Sequence, residues 1–274
     1  MKQIKFSVMI CLIFVLGCGA AEKTERPVTG IIGAFDLELN VLRQEVVDQQ
    51  TETILGLEFV TGELKGRRVV FVEGGIGKVH SAVAAALLID HFGPSEVIFT
   101  GVAGGINPEL RAGDIVIGEK TAQHDLIILK PGGSVPFEID NPVTKKKYPA
   151  YYTADAKLLA LAIEAAKDVE FGKIGSGEKA HTPTVTTGVI VSGDMFLSES
   201  KKKHQLREFY NADAIEMEGA VVAQICYQQG VPCVVIRSVS DGADENADDD
   251  FEKYVATAAD NAAKIVVRMC EMIN

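Results

Sequence analysis

Short unbroken apolar runs alternate along this chain with longer stretches at helical spacing, a pattern that predicts strands leading into helices. Val28–Ala34 reads as a buried strand running into a helix over Asp36–Gln49, with Leu37, Val41, Leu42 and Val46 on one side. Glu58–Leu64 and Arg67–Gly74 read as an antiparallel pair turned at Lys65-Gly66, and Gly77–Phe92 as an Ala-rich helix stopped by Gly93-Pro94. Short buried strands are expected at Val97–Thr100 and Asp114–Glu119. Gln123–Tyr152 is rich in Pro, Gly and Lys without a period, and reads as a long loop over a site or at a subunit contact. A helix over Ala154–Asp168, a strand over Val185–Val191 and a helical turn at Leu206–Tyr210 follow. Ala214–Glu216, the helix Gly219–Gln229, the strand Cys233–Ser240 and the long helix Asp249–Met272 complete the chain. This alternation predicts one α/β domain, a three-layer sandwich around a twisted mixed sheet.

The first residues do not belong to that pattern. Lys2 and Lys5 precede the largely apolar stretch Phe6–Leu16, too short for a permanent membrane span and suited to a signal-peptide core. The ending Val15-Leu16-Gly17-Cys18 resembles the bacterial lipobox, in which Cys18 is acylated and becomes the new N-terminus. The expectation is a signal peptide over 1–17, a lipidated polar tether over 18–27 and the folded domain over 28–274. The product would be an exported lipoprotein on the periplasmic or outer-surface side, touching the membrane through its lipid anchor only.

The formal net charge of −11 becomes −13 once Lys2 and Lys5 leave with the signal peptide. Such a surface repels nucleic acid, anionic lipid and sulfated polysaccharide, so no nucleic-acid partner is expected. Cys226, Cys233 and Cys270 are odd in number and lie in apolar segments, which points to buried thiols and not to a disulfide framework. No Cys/His spacing suggests zinc.

Candidate chemistry gathers where strands end. Glu218 and Asp241 stand at the C-terminal ends of two apolar runs, the position at which open α/β sheets collect binding groups. Either acid alone would be read as a helix cap or a loop start, but the pair together with three Gly-rich strand ends favours a site. Gly30–Glu38 puts Asp36 and Glu38 in a first helical turn, where acids complement the helix dipole and one could activate a water. Gly74–Val79 has glycines and Lys78 but misses the phosphate-loop spacing, and Thr100–Ile106 ends a strand in small residues that let backbone approach a ligand.

These segments, with Val191–Asp194, Ile215–Glu218 and Arg237–Asp241, follow one another in an order that resembles the bacterial 5′-methylthioadenosine/S-adenosylhomocysteine nucleosidases of the nucleoside phosphorylase superfamily. The resemblance runs from about Thr29 to Ile273. It implies a nucleoside phosphorylase-like fold, a small-molecule nucleoside substrate, N-glycosidic hydrolysis, a homodimer, and no metal or organic cofactor. Residue by residue it implies Glu38 as the water-activating base and Asp241 as the acid that protonates N7 of adenine, with Ser240 orienting Asp241. It also implies Glu218 on the ribose hydroxyls, Met217 beside the sugar, Phe196 stacked on adenine, Leu197 reading the base edge through its backbone, and Phe251 as an apolar wall. Val102 stands where many relatives carry Ser or Thr, and Phe35 where a methionine is common.

Two other readings compete. A phosphate-dependent purine nucleoside phosphorylase would need cationic donors beside the sugar, for which Lys78 is the only basic candidate in these loops. A surface adhesin or binding lipoprotein on the same fold would use export but must overcome the −13 charge; its one basic run, Lys201-Lys202-Lys203-His204, reads as a solvated loop or helix start.

Overall fold

Apolar runs without polar alternation suit strands covered on both faces, and most of those expected above take that place. The structure, a computed structural model, describes residues 26–131, 133–175 and 180–273; the leader, Cys18 and the tether up to Glu25 lie outside the described residues. Strand β1 (Val28–Gly33) enters helix α1 (Asp36–Glu45), and β2 (Val47–Ile54), β3 (Leu57–Leu64) and β4 (Arg67–Glu73) form an antiparallel meander. Helix α2 (Lys78–Phe92), β5 (Glu96–Gly105), β6 (Ile115–Gln123), a hairpin of β7 (Ile127–Lys130) and β8 (Gly133–Pro136), and the short β9 (Tyr152–Thr153) follow. The chain then runs through α3 (Ala156–Lys167), β10 (Val185–Ser192), α4 (Ser200–Tyr210), β11 (Ala214–Glu216), α5 (Gly219–Gln229), β12 (Cys233–Asp241) and α6 (Ala247–Met272).

The main sheet has the order β11-β10-β6-β12-β5-β1-β4-β3-β2, with β9 alongside β6. β4, β1, β5 and β12 run parallel, while β12 and β6 pair antiparallel. β11 also pairs antiparallel with β5, setting Ala214 opposite Gly105 and Ile215 opposite Gly104. One edge of the sheet therefore curls back onto its middle strand, and the ends of β5, β10, β11 and β12 converge on one rim.

Neighbouring residues on a strand face opposite ways, so Ile31, Phe71, Ile98 and Ile236 pack with Leu39, Leu42, Leu158, Ile265 and Met269 under α1, α3 and α6. Ile32, Val72, Phe99 and Val235 pack with Ala84, Ala85, Leu88 and Val222 under α2 and α5. This is the expected three-layer sandwich. Among the described residues no helix is long and apolar enough to cross a membrane.

Four elements differ from the sequence reading. The first helix stops at Glu45, and Val47–Ile54, with seven of its eight positions exposed, becomes an edge strand that only its pairing with β3 specifies. β5 runs on through Gly101–Gly105, residues too small to carry an apolar signal. α4 begins at Ser200 and takes the Lys201–His204 run into its first turns. The expected loop Gln123–Tyr152 holds the β7–β8 hairpin.

Asp155 caps α3, its side chain accepting from the backbone N–H of Lys157 at 2.9 Å and of Leu158 at 3.1 Å. Asp155→Ala should cost about 1 kcal/mol, the usual worth of such a cap. Urea unfolding would register this as a lowered midpoint with unchanged slope; an unmoved midpoint would contradict it.

Candidate active site

Three carboxylates and one guanidinium converge at the curled rim, all buried. Arg237, fully buried on β12, lies over the Phe99 ring at 4.0 Å and reaches Glu216 Oε2 at 2.6 Å, Glu218 Oε2 at 3.5 Å and Glu38 Oε1 at 3.6 Å. Glu216 also accepts from the Ser192 hydroxyl and from the backbone N–H of Glu218 and Gly219, and so closes the start of α5. Glu218 thereby leaves the capping role to its neighbour. Its Oε1 accepts from Gly77 N–H at 2.8 Å, so the glycine turn before α2 cradles a carboxylate where a phosphate loop would hold phosphate. Glu38, in the first turn of α1, accepts from Ala34 N–H at 2.5 Å and Val102 N–H at 2.8 Å.

Three negative charges against one positive charge in a dry place cannot all persist. Burial, helped by Glu216 and opposed by Arg237, pushes the Glu218 carboxyl up to about 8. Burial likewise raises Glu38 against the pull of Arg237 and its two backbone donors. Burial works to lower Arg237, but Glu216, Glu38 and Glu218 outweigh it and hold the guanidinium above its ordinary range.

The second half of the site rests on a bulge. β12 pairs with β5 in register up to Val239, opposite Ala103, and the next partnership is Asp241 with Gly104, so Ser240 is the extra residue. Ser240 Oγ donates to Asp241 Oδ2 at 2.7 Å, and Asp241 Oδ1 accepts from Ala243 N–H at 2.8 Å. Burial raises the Asp241 carboxyl, and those two hydrogen bonds oppose the shift. Between Asp241 and the Glu38/Glu218 pair runs a cleft whose free space, mouth included, is about 580 Å³. Phe35, Val102, Phe196, Leu197, Met217 and Phe251 line it. The Phe196 and Phe251 rings meet edge to face at 5.7 Å, and Phe35 stands 6.4 Å from Phe251.

Every site residue that the family resemblance implies thus borders one cleft. Asp36 does not: it is exposed and pairs with Arg43 at 3.2 Å. Lys78, the basic candidate for phosphate, is held by Asp125 at 2.7 Å. The sequence reading missed Arg237, Glu216 and Ser192. A charged residue directly after the apolar run Cys233–Ile236, in a strand buried along most of its length, was the available signal, since such a residue must be paired when buried.

A family model described as "Phosphorylase superfamily" matches residues 28–271, and the chain belongs to that superfamily. It is 38% identical over 248 residues to the 5′-methylthioadenosine/S-adenosylhomocysteine nucleosidase of Pseudoalteromonas translucida, covering 89% of this chain and 97% of that one. It is also 35% identical over 243 residues to the aminodeoxyfutalosine nucleosidase of Campylobacter jejuni, covering 89% and 98%. The crystal structure of the Neisseria meningitidis 5′-methylthioadenosine/S-adenosylhomocysteine nucleosidase with methylthio-immucillin-A superposes with a TM-score of 0.77 at 37% identity, over 90% of this chain and 99% of that one. Within the superfamily the chain therefore falls among the 5′-methylthioadenosine/S-adenosylhomocysteine nucleosidases.

The charge cluster has a measurable cost. Folding moves the Glu218 carboxyl from an ordinary 4.5 to about 8, so the folded state binds the proton more tightly. Its contribution to stability is full below pH 4.5 and is lost as pH rises through about 8; the raised Glu38 acts with the same sign. Glu218→Gln keeps an acceptor for Gly77 N–H and removes the titration. Thermal melts at pH 5 and pH 8 should then lie several degrees closer together than in the parent, as expected for removal of a few kcal/mol of linkage. An unchanged gap between the melts would refute this assignment.

Proposed function

We propose that this chain hydrolyses the N-glycosidic bond of 5′-substituted adenosines, 5′-methylthioadenosine and S-adenosylhomocysteine among them, to free adenine and the thioribose. The observation that carries the reading is one cleft with an isolated buried acid, Asp241, at one end and the Glu38–Glu218–Arg237 cluster at the other. Breaking this bond leaves negative charge on the base and positive charge on the sugar, so the two ends have opposite work to do.

Adenine stacks on Phe196 with its edge at the Leu197 backbone, and Asp241 gives its proton to N7 as the bond lengthens. Burial shifts the Asp241 carboxyl toward the protonated form this step uses, and Ser240 orients it. Glu218 receives the ribose hydroxyls, with Met217 alongside and Phe35 and Phe251 as apolar walls. Glu38 takes a proton from the attacking water. Arg237 Nη1 has no hydrogen-bond partner among the described residues and faces Glu38 Oε1. A Cβ at Gly101 would collide with both atoms, so only glycine lets the guanidinium and the carboxylate pack together against this strand. Val102 offers no hydroxyl there; it contributes its backbone N–H to Glu38. The chemistry asks for no metal or organic cofactor.

Phosphorolysis is the weaker reading because Arg237, the guanidinium behind the cleft, already faces three carboxylates, an arrangement that repels a further anion. Purified protein given 5′-methylthioadenosine should release adenine and methylthioribose at a rate independent of phosphate; methylthioribose 1-phosphate as the product would establish the phosphorylase instead. Asp241→Asn should lower kcat about 100-fold or more, the range for loss of a general acid. Near-normal turnover by that variant would place the acid elsewhere.

The proposal extends to place and assembly: a homodimer, tethered through an acylated Cys18 outside the cytoplasmic membrane. Support comes from Lys2, Lys5, the apolar Phe6–Leu16 and the lipobox-like ending at Cys18. An adhesive role toward polyanions is disfavoured by the net charge. Cys18→Ser should abolish lipid labelling and free the protein from membranes with hydrolysis intact. An unmodified Met1 terminus on protein in the soluble cytoplasmic fraction would refute export.

A further inference from the structure

The same two elements that carry the acids, α5 and β12, meet at their other ends in a tight turn. Gly230 adopts the left-handed conformation, and the N–H of Val231 returns to the Cys226 carbonyl at 2.9 Å, which folds the chain back on itself. Cys226, in the last turns of α5, and Cys233, the first residue of β12, therefore face one another. Both side chains pack into the core layer under α2 and α5, with the two thiols close enough to perturb one another. Both also line a cavity whose free space, mouth included, is about 910 Å³, walled by Tyr152, Tyr227 and Pro232, and Cys233 is only half-buried, so a small reagent can reach its thiol. Cys270 is buried in the other core layer. The sequence reading took all three as buried thiols; Cys233 departs from it.

We propose that Cys226 and Cys233 form a dithiol–disulfide couple that exchanges with small-molecule disulfides. The Cys233 thiolate attacks one sulfur of the reagent and expels its other half as a thiolate. The Cys226 thiolate then attacks the Cys233 sulfur of the mixed disulfide and expels the second half. Two protein thiols are oxidised, one reagent disulfide is reduced to two thiols, and the two protons pass from the cysteines to the departing thiolates. The neighbouring Cys226 thiol and burial push the Cys233 thiol up, so exchange quickens toward alkaline pH. The closed loop clamps the turn between α5 and β12 while the acids sit at the far ends of both elements. The proposal stands on this geometry and is independent of the nucleosidase reading.

Both cysteines fall in one tryptic peptide, Glu208–Arg237, which makes the test direct. The whole protein is incubated with oxidised glutathione at alkaline pH, denatured, treated with N-ethylmaleimide and digested. The expected result is that peptide without label and two hydrogens lighter than its reduced form, converted by dithiothreitol to a doubly labelled one. The oxidised protein should also melt ~5 °C or more higher than the reduced. Cys233→Ala should lose that rise and Cys270→Ala should keep it. If Cys233→Ala fails to fold, the peptide mass in the parent and in Cys270→Ala decides alone. A persistent glutathione adduct, a cross-link to Cys270, or a doubly labelled peptide after prolonged exposure would overturn the proposal.

Discussion

A guanidinium with no access to water holds the rim of this fold together. Arg237 cannot be left unpaired, because an isolated buried charge costs far more than any single contact returns. Its partners Glu216, Glu218 and Glu38 come from β11, the start of α5 and α1, elements distant in sequence. Losing one partner of such a group typically costs about 3–5 kcal/mol, so the ion cluster and the geometry of the cleft stand or fall together. The Phe99 face beneath the guanidinium supplies attraction without adding a further acid to an already acidic cluster.

The cluster can form only because the sheet curls. Antiparallel pairing of β11 with β5 brings Glu216 toward β12, and it takes place at Gly104 and Gly105; a Cβ at Gly104 would press on Ile215 of β11, and one at Gly105 on Val239 of β12. Gly101 serves the same end one step earlier, opposite Arg237 on the neighbouring strand. Small residues at the end of β5 thus do two things. They allow close strand approach, and they leave the cleft floor to backbone and carboxylate groups.

The layers of the fold were legible in the sequence because strand and helix leave different apolar periods, and β1, α2, β4, α3, β10 and α5 lie close to where the pattern puts them. β2 was not legible: its polar residues carry no inward face, and its structure comes from a partner strand. The continuation of β5 was hidden for the opposite reason, since Gly and Ala fit any element. At the site, Glu38, Glu218 and Asp241 stood out through their position at strand ends beside glycine runs. Glu216 and Arg237 did not, because their meaning lies in a pairing across 21 positions of sequence that only the sheet order reveals.

The excess of carboxylates over cations explains why a site can be both costly and useful. In the free protein, burial and Glu216 keep the Glu218 carboxyl pushed up to about 8, so at neutral pH the cluster sheds charge by holding a proton there. In the proposed reaction positive charge grows on the ribose directly beside it. A neighbouring cation lowers a carboxyl, so positive charge growing on the ribose opposes the burial that raises Glu218, and the low dielectric strengthens that attraction. Asp241, across the cleft and without an ion pair among the described residues, is raised by burial with no cation to pull it back down. In the proposed reaction the separation of Arg237 from Asp241 is therefore what would let two sets of buried acids, raised by the same physical cause, perform opposite tasks in one cleft.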